Sequence, residues 1–251
     1  MSIPGKEIYR TYDEYGPVQV FDDGTKRYLS FGEGDEQSCI LKVAPALLQH
    51  DYTRAMLLPL LYCEPRDAIL AGLGGGALAT CLHRYLPELK MRAVELRHSI
   101  VKIAYRYFEL PRDERLTLIQ QDISEFLESA DSAKTDIFFS DIYGAEGMDP
   151  YFFQPWYIEA CARLINDDGW LVLNCWEEQR GDHETLEAIA DNFSDVYTCT
   201  VPSGNWIILA SKRPSATPEA VLKERAREQS KLFGYAVSEN LFRLYHVHSR
   251  D

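Results

Sequence analysis

Four stretches carry residues whose types and spacing could do chemistry. In "DAILAGLGGGALATCL", Asp67–Leu82, a short apolar run breaks into Gly72, Gly74, Gly75 and Gly76 and then becomes helical in pattern. A strand that passes through glycines into a helix bares backbone N–H groups and a helix N-terminus, which suits a ligand with a nucleotide portion. The following strand ends "RAVEL", placing Glu95 about 20 residues beyond the loop, where a carboxylate can accept both hydroxyls of a ribose. The alternative for Glu95 is a solvated strand-end glutamate, but the glycine loop and this acid agree in register and favour the ribose contact. The third stretch, "LIQQDISEF", sets Asp122, with Ile123 beside it, where a carboxylate could accept an adenine amino group. Asp122 equally suits the N-cap of a helix over Ile123–Ser129, and one side chain can do both. In the fourth, "DIFFSDIYG", an apolar strand delivers Asp141 beside Tyr143, placed to meet a cationic group on a ligand or substrate.

These residues need a scaffold that brings strand ends together. Beyond Arg66 the pattern alternates: strands over 68–71, 91–94, 116–119, 137–140 and 170–173, with helices over 77–85, 100–108, 123–129 and 151–165 between them. Such alternation predicts βαβ units and a parallel, doubly wound sheet with the glycine loop at its crevice. A helix over 183–192 and strands over 196–200 and 206–210 follow, the last two close enough to pair as a hairpin at the sheet edge. The expected fold is therefore α/β, a doubly wound, seven-stranded Rossmann-like sheet of the class I methyltransferase type, preceded by a small N-terminal β unit. That unit is read from the turn-rich β runs of Pro17–Val43. The expected division is an N-terminal β-strand unit over 1–50, a connecting helix over 51–66 with Asp51 as its cap and Pro59 shortening it, a nucleotide-binding domain over 67–214, and a charged helical tail over 215–251.

Composition narrows the partners. With 26 Lys and Arg against 39 Asp and Glu, a net charge of −13 and no basic run, the 251-residue chain is a poor match for nucleic acid. Six scattered cysteines without a CxxC pair read as small buried hydrophobes in a reducing compartment. The six histidines (His50, His83, His98, His183, His246, His248) lack metal-ligand spacing, so no metal is expected. No apolar stretch reaches the ~18 residues of a membrane span, and the N-terminus has no signal-peptide pattern, so the expectation is a cytoplasmic protein without membrane or nucleic-acid partners.

With the glycine loop, Glu95, Asp122 and Asp141 in this order, the chain resembles the class I S-adenosylmethionine-binding transferases, and among them the spermidine synthase (polyamine aminopropyltransferase) family, over roughly Gly16–Ala210. The stretches "AVELRHSIVKIAYRYFELPRDERLTLIQQD" and "FFQPWYIEACARLINDDGWLVLN" carry the likeness beyond the generic fold. The resemblance implies a decarboxylated S-adenosylmethionine co-substrate, an aminopropyl group passed to an amine, methylthioadenosine as product, and a homodimer. It puts the nucleoside at Gly72, Gly74, Gly75, Gly76, Glu95, Asp122, Ile123 and Asp141, and the amine chemistry at Asp141, Tyr143 and Tyr52.

Four positions in three places depart from the family pattern. Ala77 follows Gly76 where the family carries an aspartate that holds the aminopropyl amine; Gly144 stands where the second aspartate of D-x-x-D would fall; and Tyr-His-Glu becomes Tyr52-Thr53-Arg54. Glu146 or Asp149 could supply a carboxylate from the same loop. These departures keep three alternatives open: a methyltransferase using S-adenosylmethionine, with Arg54 or the N–H groups near Gly74 meeting the methionine carboxylate; a catalytically silent nucleoside-binding protein; and, with least support, an NAD-dependent dehydrogenase, which leaves Asp122 and Asp141 without work.

Overall fold

A computed structural model describes residues 3–32, 34, 36–129, 133–144 and 147–247. Four antiparallel strands come first: β1 (Lys6–Asp13), β2 (Gly16–Asp22), β3 (Lys26–Ser30) and β4 (Glu36–Leu41), in the order β1-β2-β3-β4. The main sheet has eight strands. Five of them, β5 (Asp67–Ala71), β6 (Lys90–Glu95), β7 (Leu116–Gln120), β8 (Thr135–Ser140) and β11 (Ile165–Trp176), pair in parallel; β12 (Asp195–Thr200), β13 (Asn205–Ser211) and β14 (Leu244–Val247) complete it antiparallel. The strand order is β14-β12-β13-β11-β8-β5-β6-β7. All seven strands read from the sequence form, but β13 lies inside, between β12 and β11, and β14 covers β12 as an eighth strand.

The parallel strands read as continuous apolar runs because both faces are covered. In β5, Ala68 and Leu70 point to one face, while Ile69 and Ala71 point to the other, the period-2 alternation of any strand. The first face packs against α1 (Asp51–Met56) with its following 3₁₀ turn (Leu58–Leu61), α2 (Ala77–Tyr85), and the tail helices α7 (Glu219–Phe233) and α8 (Val237–Arg243). The second packs against α4 (Ile123–Glu128), α5 (Pro155–Leu164) and α6 (His183–Asn192). Helix α3 (His98–Tyr107) serves a separate core: Ile100, Ile103 and Phe108 pack with Val18, Val20, Leu29 and Ile40 of the N-terminal sheet. A two-residue ladder, β9 (Tyr143–Gly144) with β10 (Gly147–Met148), follows β8.

Pro59 sits within the 3₁₀ turn and closes the connecting helix early, as its missing donor requires. Asp51 is not the cap: His50 holds that position, and the Asp51 carboxylate instead accepts from Ser203 N and Oγ across the cavity mouth. The 151–165 helix begins later than its apolar pattern suggests, because Pro150 starts a short 3₁₀ turn and Pro155 starts α5. Among the described residues no helix is long and apolar enough to cross a membrane.

Candidate active site

The chain direction reverses its winding between β5 and β8, and their carboxyl ends open the crevice where α/β sheets bind ligands. The glycine loop leaves β5 on one side and Asp141 leaves β8 on the other, joined by a backbone bond from Asp141 N to Ala71 O of 2.9 Å. Gly72 sits at φ +89°, and a Cβ there would collide with the Asp141 carbonyl oxygen, so this close approach of loop to strand requires glycine. Above the crevice lies a cavity of about 650 Å³, roofed by Tyr15, Phe31 and Ser38 of the N-terminal unit.

The four glycines divide their work. Gly72 and Gly74 line the cavity. Gly75 donates its N–H to Ser38 Oγ at 2.8 Å and lies against Phe108, while Gly76 adopts φ +77° at the start of α2 and lies against Leu110. Those two let the loop press against its support rather than face the cavity.

Glu95, at the end of β6, is nearly buried at 9% exposure. Its Oε2 accepts Leu73 N at 3.0 Å and its Oε1 accepts Arg97 N at 2.8 Å, with Gly74 N–H as a further donor. Burial pushes its pKa up from the ordinary glutamate value, and the three backbone N–H groups oppose that push. A carboxylate has about four lone-pair sites, so it retains capacity toward the cavity while it shapes the loop. Asp122 caps α4, its Oδ1 accepting Ser124 N at 2.7 Å, and still lines the cavity beside Ile123. The two readings of Asp122 thus occupy one side chain.

Asp141 sits at the meeting of several elements. Its Oδ1 accepts Asn174 Nδ2 of β11 at 2.8 Å, and the Tyr52 hydroxyl of α1 bonds to the same carboxylate. Burial pushes the Asp141 pKa up, opposed by the Asn174 and Tyr52 hydrogen bonds and by nearby His50. Tyr52 stacks on His50 with ring centroids 5.4 Å apart, and His50 Nε2 bonds Glu36 Oε1 at 2.8 Å. Tyr143 packs edge-on against Trp176 at 5.9 Å, and burial followed by the Asp141 charge pushes its phenol well up. The structure therefore brings Asp141, Tyr143 and Tyr52 into one wall.

Ala77 starts α2 beside this wall and brings no polar side-chain atom to it. Gly144 lines the cavity, its carbonyl accepting Gln37 Nε2 at 3.4 Å. Asp149 lines the cavity and caps a 3₁₀ turn through Tyr151 N at 2.9 Å. Glu146 lies outside the described residues. Arg54 does not reach the cavity: its Nε and Nη2 both donate to Leu48 O, at 2.9 and 2.7 Å, and its guanidinium lies over Tyr235.

Sequence reasoning missed Glu36, His50, Asp51, Asn174 and Asn205, all of which line the cavity. Asn174 carried a signal, a polar residue closing the apolar run "WLVLN" at the carboxyl edge. Asn205 had none by itself, because it reaches that edge only through the antiparallel register that sets Trp176 opposite Asn205. Among the described lining residues the acids are Glu36, Asp51, Glu95, Asp122, Asp141 and Asp149; the arginine is Arg97 and the histidine is His50. Arg97 is committed to the Asp13 carboxylate through Nη2 at 2.7 Å and Nε at 3.1 Å, and to Gly16 O at 3.0 Å. That clamp fixes the N-terminal unit over the cavity.

No protein-family model matches the chain. The polyamine aminopropyltransferase of Neisseria meningitidis serogroup A is 27% identical over 237 residues, spanning 92% of this chain and 90% of that protein. The crystal structure of a probable spermidine synthase from Corynebacterium glutamicum is similar with a TM-score of 0.77 at 18% identity, covering 98% of this chain and 91% of that one. Human methyltransferase-like protein 13, in complex with SAH, is similar with a TM-score of 0.67 at 18% identity over 74% of this chain and 93% of that one.

Proposed function

We propose that this chain, which belongs to a spermidine synthase-like family, transfers an aminopropyl group from decarboxylated S-adenosylmethionine to a small amine and releases methylthioadenosine. The charge of the cavity is the observation that carries this reading. Six acidic side chains face it, while Arg97 is held by Asp13 and His50 by Glu36, so a ligand bearing amines is matched and a methionine carboxylate meets no uncommitted side-chain cation among the described lining residues.

The residues fit a nucleoside. Glu95 has acceptor capacity left for ribose hydroxyls, Asp122 can accept an adenine amino group while capping α4, and Gly72 and Gly74 allow close approach of the ligand to the backbone. A bound sulfonium supplies a carbon activated toward attack by an amine. Asp141 holds the attacking nitrogen and takes its proton, with Tyr52 and Asn174 fixing the carboxylate. Tyr143 and Trp176 present aromatic surface to the cationic groups. Glu36 and Asp149 offer anions for the far end of the amine, in place of the acids absent at Ala77 and Gly144.

Isothermal titration with methylthioadenosine, decarboxylated S-adenosylmethionine and S-adenosylmethionine, followed by product analysis with putrescine, tests the reading. Preference for the decarboxylated form and formation of spermidine are expected. Preference for S-adenosylmethionine assigns methyl transfer instead, and binding without turnover over a range of amines assigns a nucleoside-binding protein.

A further inference from the structure

A chain of hydrogen bonds leads from Asp141 to the rim of the cavity. Asn174 Nδ2 lies 2.8 Å from Asp141 Oδ1, and Asn205 Nδ2 lies 2.9 Å from Asn174 Oδ1. Ser203 Oγ is 2.8 Å from Asn205 Oδ1 and 2.6 Å from Asp51 Oδ1, while Ser203 N–H donates to Asp51 Oδ2 at 3.1 Å. The two amides are buried, 3% and 7% exposed, and Ser203 is exposed.

Hydrogen counting restricts this chain. A serine hydroxyl has one hydrogen, yet with the amides turned as described Ser203 Oγ faces two acceptor oxygens. Amide oxygen and nitrogen exchange places by a half-turn about the side chain, so two arrangements satisfy every link. In the first, Asp51 carries a proton and gives it to Ser203 Oγ; each donor then points toward Asp141, which is a carboxylate. In the second, Asp51 is the carboxylate and takes the Ser203 hydrogen. Both amides are then turned over, Asn174 shows its carbonyl oxygen to Asp141, and Asp141 must carry the proton.

We propose that Asp51, Ser203, Asn205 and Asn174 act as positioning residues that make Asp51 and Asp141 share one proton, so that ionisation of the rim carboxylate sets the protonation of the inner one. The inference rests on the reading above only in treating Asp141 as the base. The proton balance closes: a substrate ammonium gives one proton to the Asp141 carboxylate and keeps its lone pair, Asp51 releases its proton to water, and the amides turn over without carrying a proton themselves. Other titratable groups facing Asp141 are Tyr52 and His50 at the start of α1, with Glu36 behind His50, and Tyr143 in its own loop; Cys199 of β12 lies near Asp51. The Tyr143 hydroxyl also bonds to the Asn205 side chain and so meets the amide chain midway, whereas the links that run on to Asp51 pass through Asn205 and Ser203.

The test is a carboxyl ¹³C NMR titration of aspartate-labelled protein, with Asp141→Asn assigning the resonance, performed without substrate. An ionised Asp51 holds Asp141 protonated through the chain, so breaking it in Ser203→Ala should lower the Asp141 midpoint by about one pH unit or more. Asp51→Ala should do the same, and Ser203→Thr, which keeps the hydroxyl, should retain the wild-type midpoint. Equal Asp141 midpoints in wild type and Ser203→Ala, or a shift in Ser203→Thr as large as in Ser203→Ala, would overturn the proposal. Because the readout needs no turnover, a protein that transfers no aminopropyl group but shows the shift refutes the functional reading and leaves the coupling standing.

Discussion

Replacing Glu95 by glutamine separates the two jobs of that carboxylate. In the native loop Oε2 accepts Leu73 N at 3.0 Å and Oε1 accepts Arg97 N at 2.8 Å. Glutamine has one acceptor oxygen, so one of these two buried N–H groups must face an amide NH₂. A buried donor left unmet costs about 1–3 kcal/mol, a loss borne by the loop with or without ligand. On the proposed ribose contact the ligand hydroxyls also lose a charged acceptor, and hydrogen bonds to charged groups contribute about 1.5–3 kcal/mol each. If the binding loss amounts to about 2–3 kcal/mol, methylthioadenosine should bind Glu95→Gln roughly 30- to 150-fold more weakly. Isothermal titration of both proteins measures this, and ligand-free thermal unfolding separates the loop's own destabilisation from the ligand contribution. A Kd within about threefold of wild type, in a protein that still unfolds cooperatively, refutes the ribose assignment and the reasoning from loop geometry with it.

Two further substitutions probe the opposite wall. Burial raises the Asp141 pKa, so its contribution to stability is present below the ordinary carboxylate value of about 4 and is lost as pH rises through the elevated one. Asp141→Asn should therefore melt higher than wild type at neutral pH, by about 2–4 °C per kcal/mol recovered, with the difference closing near pH 4, while turnover falls about 10²- to 10⁴-fold; melting curves and initial rates check both, and an unchanged rate contradicts the base assignment. Gly72→Ala puts a side chain at φ +89° against the Asp141 carbonyl; with about 1–2 kcal/mol for the left-handed backbone and about 1–3 kcal/mol for overpacking, denaturant unfolding should show a loss of about 2–5 kcal/mol, and a loss under about 1 kcal/mol contradicts the close-approach account.

The parallel core was legible because strands buried on both faces leave uninterrupted apolar runs between helical segments. The same rule explains why β1 and β14 were not: in β1 the residues alternate between exposed and half-buried, and β14 is a four-residue strand of similar pattern. Glu95, Asp122 and Asp141 were readable because each ends or follows a parallel strand, and parallel strands deliver their ends to one edge. Glu36 and Asp51 reach the same cavity from β4 and α1; the sheet that carries β4 is held by the Asp13–Arg97 clamp, 84 positions apart, and by the α3 core, whose partners lie 60 or more positions apart, while α1 packs on the main sheet. His50 had no pattern to mark it, since its relation to Glu36 and Tyr52 exists only once β4 and α1 are juxtaposed. The roles of Gly75 and Gly76 required the packing of Phe108 and Leu110, which lie on and after a helix that spacing does not tie to the loop.

The central claim is that a carboxylate-lined cavity beside a nucleoside site takes an amine as acceptor. Incubation with decarboxylated S-adenosylmethionine, with and without putrescine, followed by chromatographic measurement of methylthioadenosine and spermidine, tests it most directly. Equimolar formation of both products, dependent on putrescine and absent with S-adenosylmethionine as donor, is expected. Methylated product from S-adenosylmethionine, or no methylthioadenosine from any donor and amine pair, would contradict it.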